Sequence, residues 1–107
     1  MKLMVFGGDG HKTYLGCLNC PETAQDSLFN EFGTHGNKFN PSSLRNSYGQ
    51  FGSPYALYSA CNPYSIDPPV IVDQNGNFYG RLTMNQYHAQ RTRDERFLAF
   101  IAAICST

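Results

Sequence analysis

The sequence predicts an α+β fold: a small antiparallel sheet, two helices and, between them, a turn-rich insert built on a 16-residue repeat. Three observations carry this reading. Pro69-Val70-Ile71-Val72-Asp73-Gln74-Asn75-Gly76-Asn77-Phe78-Tyr79-Gly80 runs from β-branched residues through Asn-Gly into aromatics, the pattern of a hairpin with a type I′ turn. Residues 21–32 and 92–105 place apolar side chains at helical spacing. Ser27, Ser43 and Ser59 stand 16 residues apart, as do Asn30, Asn46 and Asn62, and Phe32, Tyr48 and Tyr64.

Lys2-Leu3-Met4-Val5-Phe6 opens the chain as a strand, stopped by the turn Gly7-Gly8-Asp9-Gly10. A second strand covers about 13–16. Pro21 suits the first position of a helix, where its missing N–H is not needed. Ala24, Leu28, Phe29 and Phe32 then share one face, and Gly33 reads as a left-handed stop. The repeat segment spans 27–65. Each unit reads as a turn opened by Ser and closed by Gly (Gly33/Gly49), then a second turn at Gly36/Gly52, with the aromatic before the first Gly directed inward. The hairpin spans 69–83, its strands at about 69–73 and 77–83. The last helix covers 92–105, with Thr92 and Glu95 spaced as a capping box. From Phe97 to Cys105 no side chain is polar, so this helix is expected to be buried on most sides or shared with a partner, including a second copy of the chain.

The chain has 107 residues, enough for one domain over 1–107 and too few for two of ordinary size. Eight basic and eight acidic residues cancel, so nothing calls for a nucleic acid or a membrane surface as partner. A mild asymmetry exists, with Arg81, Arg91, Arg93 and Arg96 near the end forming a modest basic face. No apolar run approaches the roughly 18 residues of a membrane span. The N-terminal run is too short for a signal peptide, which leaves a cytoplasmic protein or a secreted one whose leader has been removed.

Cys17-Leu18-Asn19-Cys20 has the spacing of redox dithiols and of half a zinc site. A second ligand pair at matching spacing is missing, so structural cysteines or a local disulfide are preferred, with a zinc clip and a dithiol as alternatives. Cys61 and Cys105 make the count even, which permits two disulfides without demanding them. His11 with Cys17 is a weaker pairing for nucleophilic catalysis. The Asp73–Asn77 stretch does not keep calcium-loop spacing, and Gly7–Lys12 lacks the phosphate-loop pattern. Phe29, Phe32, Phe39, Tyr48, Phe51, Tyr55, Tyr58 and Tyr64 crowd the repeats. Core use is the preferred reading; exposed, they would stack on sugars or unpaired bases.

The run Tyr14-Leu15-Gly16-Cys17-Leu18-Asn19-Cys20, the repeated Ser-x-x-Asn-x-aromatic-Gly units and the stretch Pro68 to Gly80 together resemble a group of small uncharacterised bacterial proteins with tandem Ser-Ile-Trp-Asn-x-Tyr-Gly-type repeats. Here Phe29, Arg45 and Cys61 stand at the tryptophan position, and the chain has no tryptophan. The resemblance implies no activity. The leading expectation is a non-catalytic binding or protein-interaction module that contacts its ligand through Phe51, Tyr55, Tyr58, Arg91 and Arg93, or through the last helix. The rival is a metal-binding or dithiol protein using Cys17 and Cys20. Positions that differ between the copies, Phe29/Arg45/Cys61, Glu31/Ser47/Pro63 and Thr34/Gln50, are expected to carry any recognition.

Overall fold

Alternating and β-branched residues pair where the sequence places them. In the computed structural model, which describes residues 1–106, strands β1 (Leu3–Gly7), β2 (Thr13–Cys17), β3 (Val70–Asp73) and β4 (Phe78–Arg81) form one antiparallel sheet in the order β2-β1-β3-β4. Thr107, the last residue of the expected domain, lies outside the described residues. In the register of β1 on β3, Val5 stands opposite Ile71 and Phe6 opposite Val70. Because side chains alternate, Val5 and Ile71 face the core while Phe6 and Val72 stand on the outer face. β1 and β2 are joined by a single 3-10 turn, Asp9–His11.

The hairpin between β3 and β4 closes differently from the type I′ expectation. The Gly76 amide donates to the Asp73 carbonyl, the Asp73 amide donates to the Asn77 carbonyl, and only Gly76 of the loop has a positive φ, 83°. This is a three-residue loop, a type I turn followed by a left-handed glycine. Asp73 selects it: its carboxylate accepts from the amides of Asn75 and Asn77, from Asn77 Nδ2 and from the Tyr79 hydroxyl at 2.7 Å. Those donors hold the Asp73 carboxyl at about 2.

The two-helix expectation is overturned. The described residues hold a four-stranded sheet and one α-helix, α1 (Glu95–Cys105); residues 21–32 form successive tight turns instead. Ser and Asn side chains compete with the helix for its backbone groups. Ser27 Oγ accepts from the Phe29 amide and donates to the Cys20 carbonyl, while Asn30 Oδ1 accepts from the Phe32 amide and its Nδ2 donates to the Ala24 carbonyl. Apolar spacing alone suggests a helix, yet the capping residues are too frequent to let one propagate. α1 itself begins two residues later than the capping box places it. Asp94 is its N-cap, accepting from the Arg96 amide at 2.9 Å, while Thr92 caps the preceding turn. Among the described residues, no helix is long and apolar enough to cross a membrane.

The repeat is therefore a stack of capped turns, and the same bonds recur in every unit. Asn46 Nδ2 donates to the Asn40 carbonyl and Asn62 Nδ2 to the Ala56 carbonyl, each six residues back, as Asn30 does. Ser43 Oγ accepts from the Arg45 amide and Ser59 Oγ from the Cys61 amide, as Ser27 does for Phe29. Ser27, Ser43 and Ser59 are fully buried, each hydroxyl having found a backbone partner. Leu28, Leu44 and Ala60 follow them and fill one core with Val5, Leu15, Leu18, Phe51, Ile71, Leu82, Phe97 and Ile101. The glycines are needed for close approach rather than for a left-handed stop. A Cβ on Gly36 would lie 2.0 Å from the Asn30 carbonyl oxygen and one on Gly52 2.2 Å from that of Asn46, at φ values outside the left-handed region. The hairpin interrupts the stack, which then resumes: the Met84 amide donates to the Ala60 carbonyl, and Thr83 and Asn85 cap turns as the earlier Ser and Asn residues do.

Candidate functional site: exposed aromatic rows and the groove beside the helix

Which way each repeat position faces follows from what the stack packs against. The Ser-Leu pair points into the sheet. The next position, Phe29/Arg45/Cys61, meets α1. Phe29 lies edge-on to Phe100 with ring centroids 5.1 Å apart, the Arg45 guanidinium sits 5.6 Å from the Phe100 centroid, and Cys61 is disulfide-bonded to Cys105. The position expected to carry recognition is thus the seam that holds the helix. Glu31, Ser47, Pro63, Thr34 and Gln50 are exposed.

The aromatic that precedes the first Gly of each unit does not point inward. Phe32, Tyr48 and Tyr64 are 96%, 96% and 84% exposed, and Phe39 and Tyr55, in the second half of the first two units, are 78% and 90% exposed. Tyr87, in the resumed stack, is 93% exposed. All six occupy one local position, two residues after a capping side chain that accepts from their amide: Asn30, Asn37, Asn46, Ser53, Asn62 and Asn85. At these six turns the side chain is turned away from the stack, whereas at the turns capped by Ser27, Ser43 and Ser59 the same position meets α1. Since Leu28/Leu44/Ala60 all face the core and Phe29/Arg45/Cys61 all face α1, the units are in register. Phe32, Tyr48 and Tyr64 accordingly form one row on the outside, and Phe39 and Tyr55 a second.

Of the residues expected to contact a ligand, Tyr55 stands in the second row and Arg93 is exposed, whereas Tyr58 is half-buried against the core. Arg91 is half-buried, and its Nε donates to the Thr83 carbonyl at 3.0 Å. Phe51 is corrected to a core residue. It is 1% exposed and packs against the position where Gly7 lacks a side chain. Phe32, Phe39, Tyr48, Tyr64 and Tyr87 were the members that spacing alone did not separate from core aromatics. Each has a capping residue two positions before it, but so does Phe29, which packs on Phe100, and the cap alone does not set exposure.

Cys17 and Cys20 are bonded to each other, with Cys17 buried and its amide donating to the Asp26 carbonyl at 2.7 Å. Among the described residues no group of three or more His, Cys, Asp or Glu side chains is placed to hold a metal ion. His11 lies away from Cys17, and its Nε2 is 2.7 Å from Asp67.

Two concave surfaces are relevant. One, of about 410 Å³, lies on the outer face of the sheet, bordered by Phe6, Val72, Phe78, His11, Arg81 and Gln90. Its polar groups are engaged internally. Arg81 donates to Asp67, Pro68 O and Gln90, and Asp67 accepts from both Arg81 and His11. Burial alone would raise the Asp67 carboxyl; the bonds from His11 and Arg81 outweigh it and hold the group below its ordinary value. This cluster ties the 3-10 turn to β4. The other groove, of about 590 Å³, lies between the first repeat unit and α1. Phe29, Phe32, Phe39, Phe100 and Ile104 line it, Arg45 contributes to its wall, and Glu31 and Lys38 stand at its rim. Both aromatic rows begin beside it.

Comparison with family models, with curated proteins and with solved structures finds no match, so the chemistry is read from the geometry itself.

Proposed function

We propose that the protein is a small non-catalytic binding module whose contact surface is the pair of exposed aromatic rows on the repeats. The observation that carries this is the near-complete exposure of Phe32, Tyr48 and Tyr64, an aromatic kept in all three copies at a position where the fold gains almost nothing from it. Exposed aromatic area of this extent is costly in water and is recovered when a ligand covers it. α1 is a weaker candidate for the contact, because Phe97 and Ile101 are buried and Ala99, Ala102 and Ala103 are what its outer face presents.

The ligand chemistry that suits the rows is a polymer with flat, weakly polar faces, such as a polysaccharide. Sugar rings present C–H groups that complement the negative face of an aromatic ring. The Asn and Ser side chains and the turn amides are already paired within the stack, so few groups remain to pair with a peptide backbone. The balanced charge offers no funnel for nucleic acid. Two disulfides support an oxidising working environment. The test is retention on insoluble polysaccharides such as cellulose and chitin by the wild type and by a Tyr48→Ala/Tyr64→Ala variant. The variant is expected to keep its thermal transition and lose retention. Unchanged retention would remove the rows from the mechanism.

A further inference from the structure

Arg45, like Arg91, donates Nε to a backbone carbonyl, and it also lies against two aromatic rings. Its Nε donates to the Leu28 carbonyl at 2.7 Å, which fixes the guanidinium against the seam. Its Cζ lies 5.8 Å from the Phe29 centroid and 5.6 Å from the Phe100 centroid. Its two terminal nitrogens meet no protein acceptor among the described residues, although the side chain is half-buried and lines the 590 Å³ groove. Burial pushes the guanidinium down from its ordinary value and the Glu31 charge acts in the opposite sense. Lys38 and Arg45 against Glu31 leave the groove a net positive charge.

A held guanidinium with two free, parallel N–H groups is suited to a planar oxyanion bound in bidentate fashion. The walls on either side are aromatic, and a volume of this size accommodates one or two sugar rings. Both rows of exposed rings lead away from this point. We propose that the groove between the first repeat unit and α1 seats a carboxylated sugar, a uronate residue, with its carboxylate on Arg45 and its ring between Phe32 and Phe39, and that the aromatic rows carry the rest of the same chain. This rests on the reading of the rows as a polysaccharide surface and adds the identity of the residue at one end. An aromatic carboxylate alone would satisfy the groove without using the rows; a uronate polymer uses both.

The experiment compares polygalacturonate with its fully methyl-esterified form as oligomers of equal length, by calorimetric titration at low salt. The ester removes the charge and leaves the sugar faces. The expected result is at least tenfold tighter binding of the free acid, with the difference lost in Arg45→Gln. Phe32→Ala and Phe39→Ala weaken both forms. Because Arg45 also holds the seam, Arg45→Gln is read alongside its thermal transition, and the ester comparison on the wild type stands independently of any variant. Equal binding of acid and ester, with the rows still required, overturns the uronate assignment and leaves the binding reading intact. Binding of neither form overturns the uronate assignment; if cellulose and chitin are not retained either, the polysaccharide reading falls with it.

Discussion

Two columns of the repeat run side by side and are treated in opposite ways. At Phe29/Arg45/Cys61 the residue type changes with every copy, yet all three positions meet one partner, α1, by ring contact, guanidinium stacking and disulfide. At Phe32/Tyr48/Tyr64 the type is kept aromatic, yet the side chains lie almost wholly in water. Within a folded monomer a repeated aromatic normally reports a shared packing environment. Here the shared environment belongs to the varied column: Phe29 and Arg45 both meet Phe100, while Cys61 is bonded to Cys105. The kept column has no such partner among the described residues.

The contrast yields predictions that differ in size. The largest effect belongs to the seam: opening Cys61–Cys105, whose cysteines are 44 residues apart, is expected to cost about 4 kcal/mol on chain-entropy grounds. Denaturant unfolding of Cys105→Ser checks it, and a loss below about 1 kcal/mol would mean that Phe97 and Ile101 dock the helix unaided. Next is the stack register. Gly52→Ala puts a methyl group against the Asn46 carbonyl and is expected to cost about 3 kcal/mol or more, or to prevent folding. Asn46→Ala removes the bonds to the Asn40 carbonyl and the Tyr48 amide and is expected to cost about 2 kcal/mol.

Acid should act more gently and in two stages. His35 is held below its ordinary value by burial, with Asp26 opposing, and its Nδ1 is buried without a partner. The unfolded chain therefore takes up that proton first, and stability declines as pH falls below about 6.5. Asp26, held down by Lys2 and Tyr14, and Asp73, at about 2, add a second decline below about pH 4 by the same sign. A melting-temperature profile resolves the stages, and His35→Gln should flatten the upper one; an unchanged profile would show that His35 is not the group responsible. The smallest effect on stability is the most informative for function. Tyr48→Ala and Tyr64→Ala should each shift stability by no more than about 0.5 kcal/mol. A loss several times larger would show that the exposed column is structural after all.

The candidate site was partly legible before the fold. Tyr55 was marked as a contact residue and is exposed, but Phe51, marked beside it, fills the core. The two aromatics stand four residues apart in one unit, and hydrophobicity does not separate them. The difference lies one level down. Ser53 caps the turn that swings Tyr55 outward, while Phe51 precedes Gly52, where the chain closes against its own earlier turn. A capping residue two positions ahead marks Tyr55, but Phe29 behind Ser27 carries the same mark and meets α1, so the cap alone does not decide which rings stay in water. The segment 21–32 shows the same limit. Its apolar spacing was real, but Ser27 and Asn30 take the amides and carbonyls that a helix requires.

What the sequence determined by itself is what short-range chemistry decides. The four strands lie within a residue or two of where alternation and β-branching place them, and Ser and Asn cap turns at the 16-residue spacing, because those bonds span two to eight residues. Only the tertiary structure decided the cysteine pairing, the side of the stack that meets the sheet, the column that receives α1 and the rings left in water. Those depend on where elements far apart in sequence come together, as Cys61 does with Cys105 and Arg45 with Phe100, and no local pattern encodes such a meeting. The rows became a candidate site once the sheet and the helix had taken the other faces.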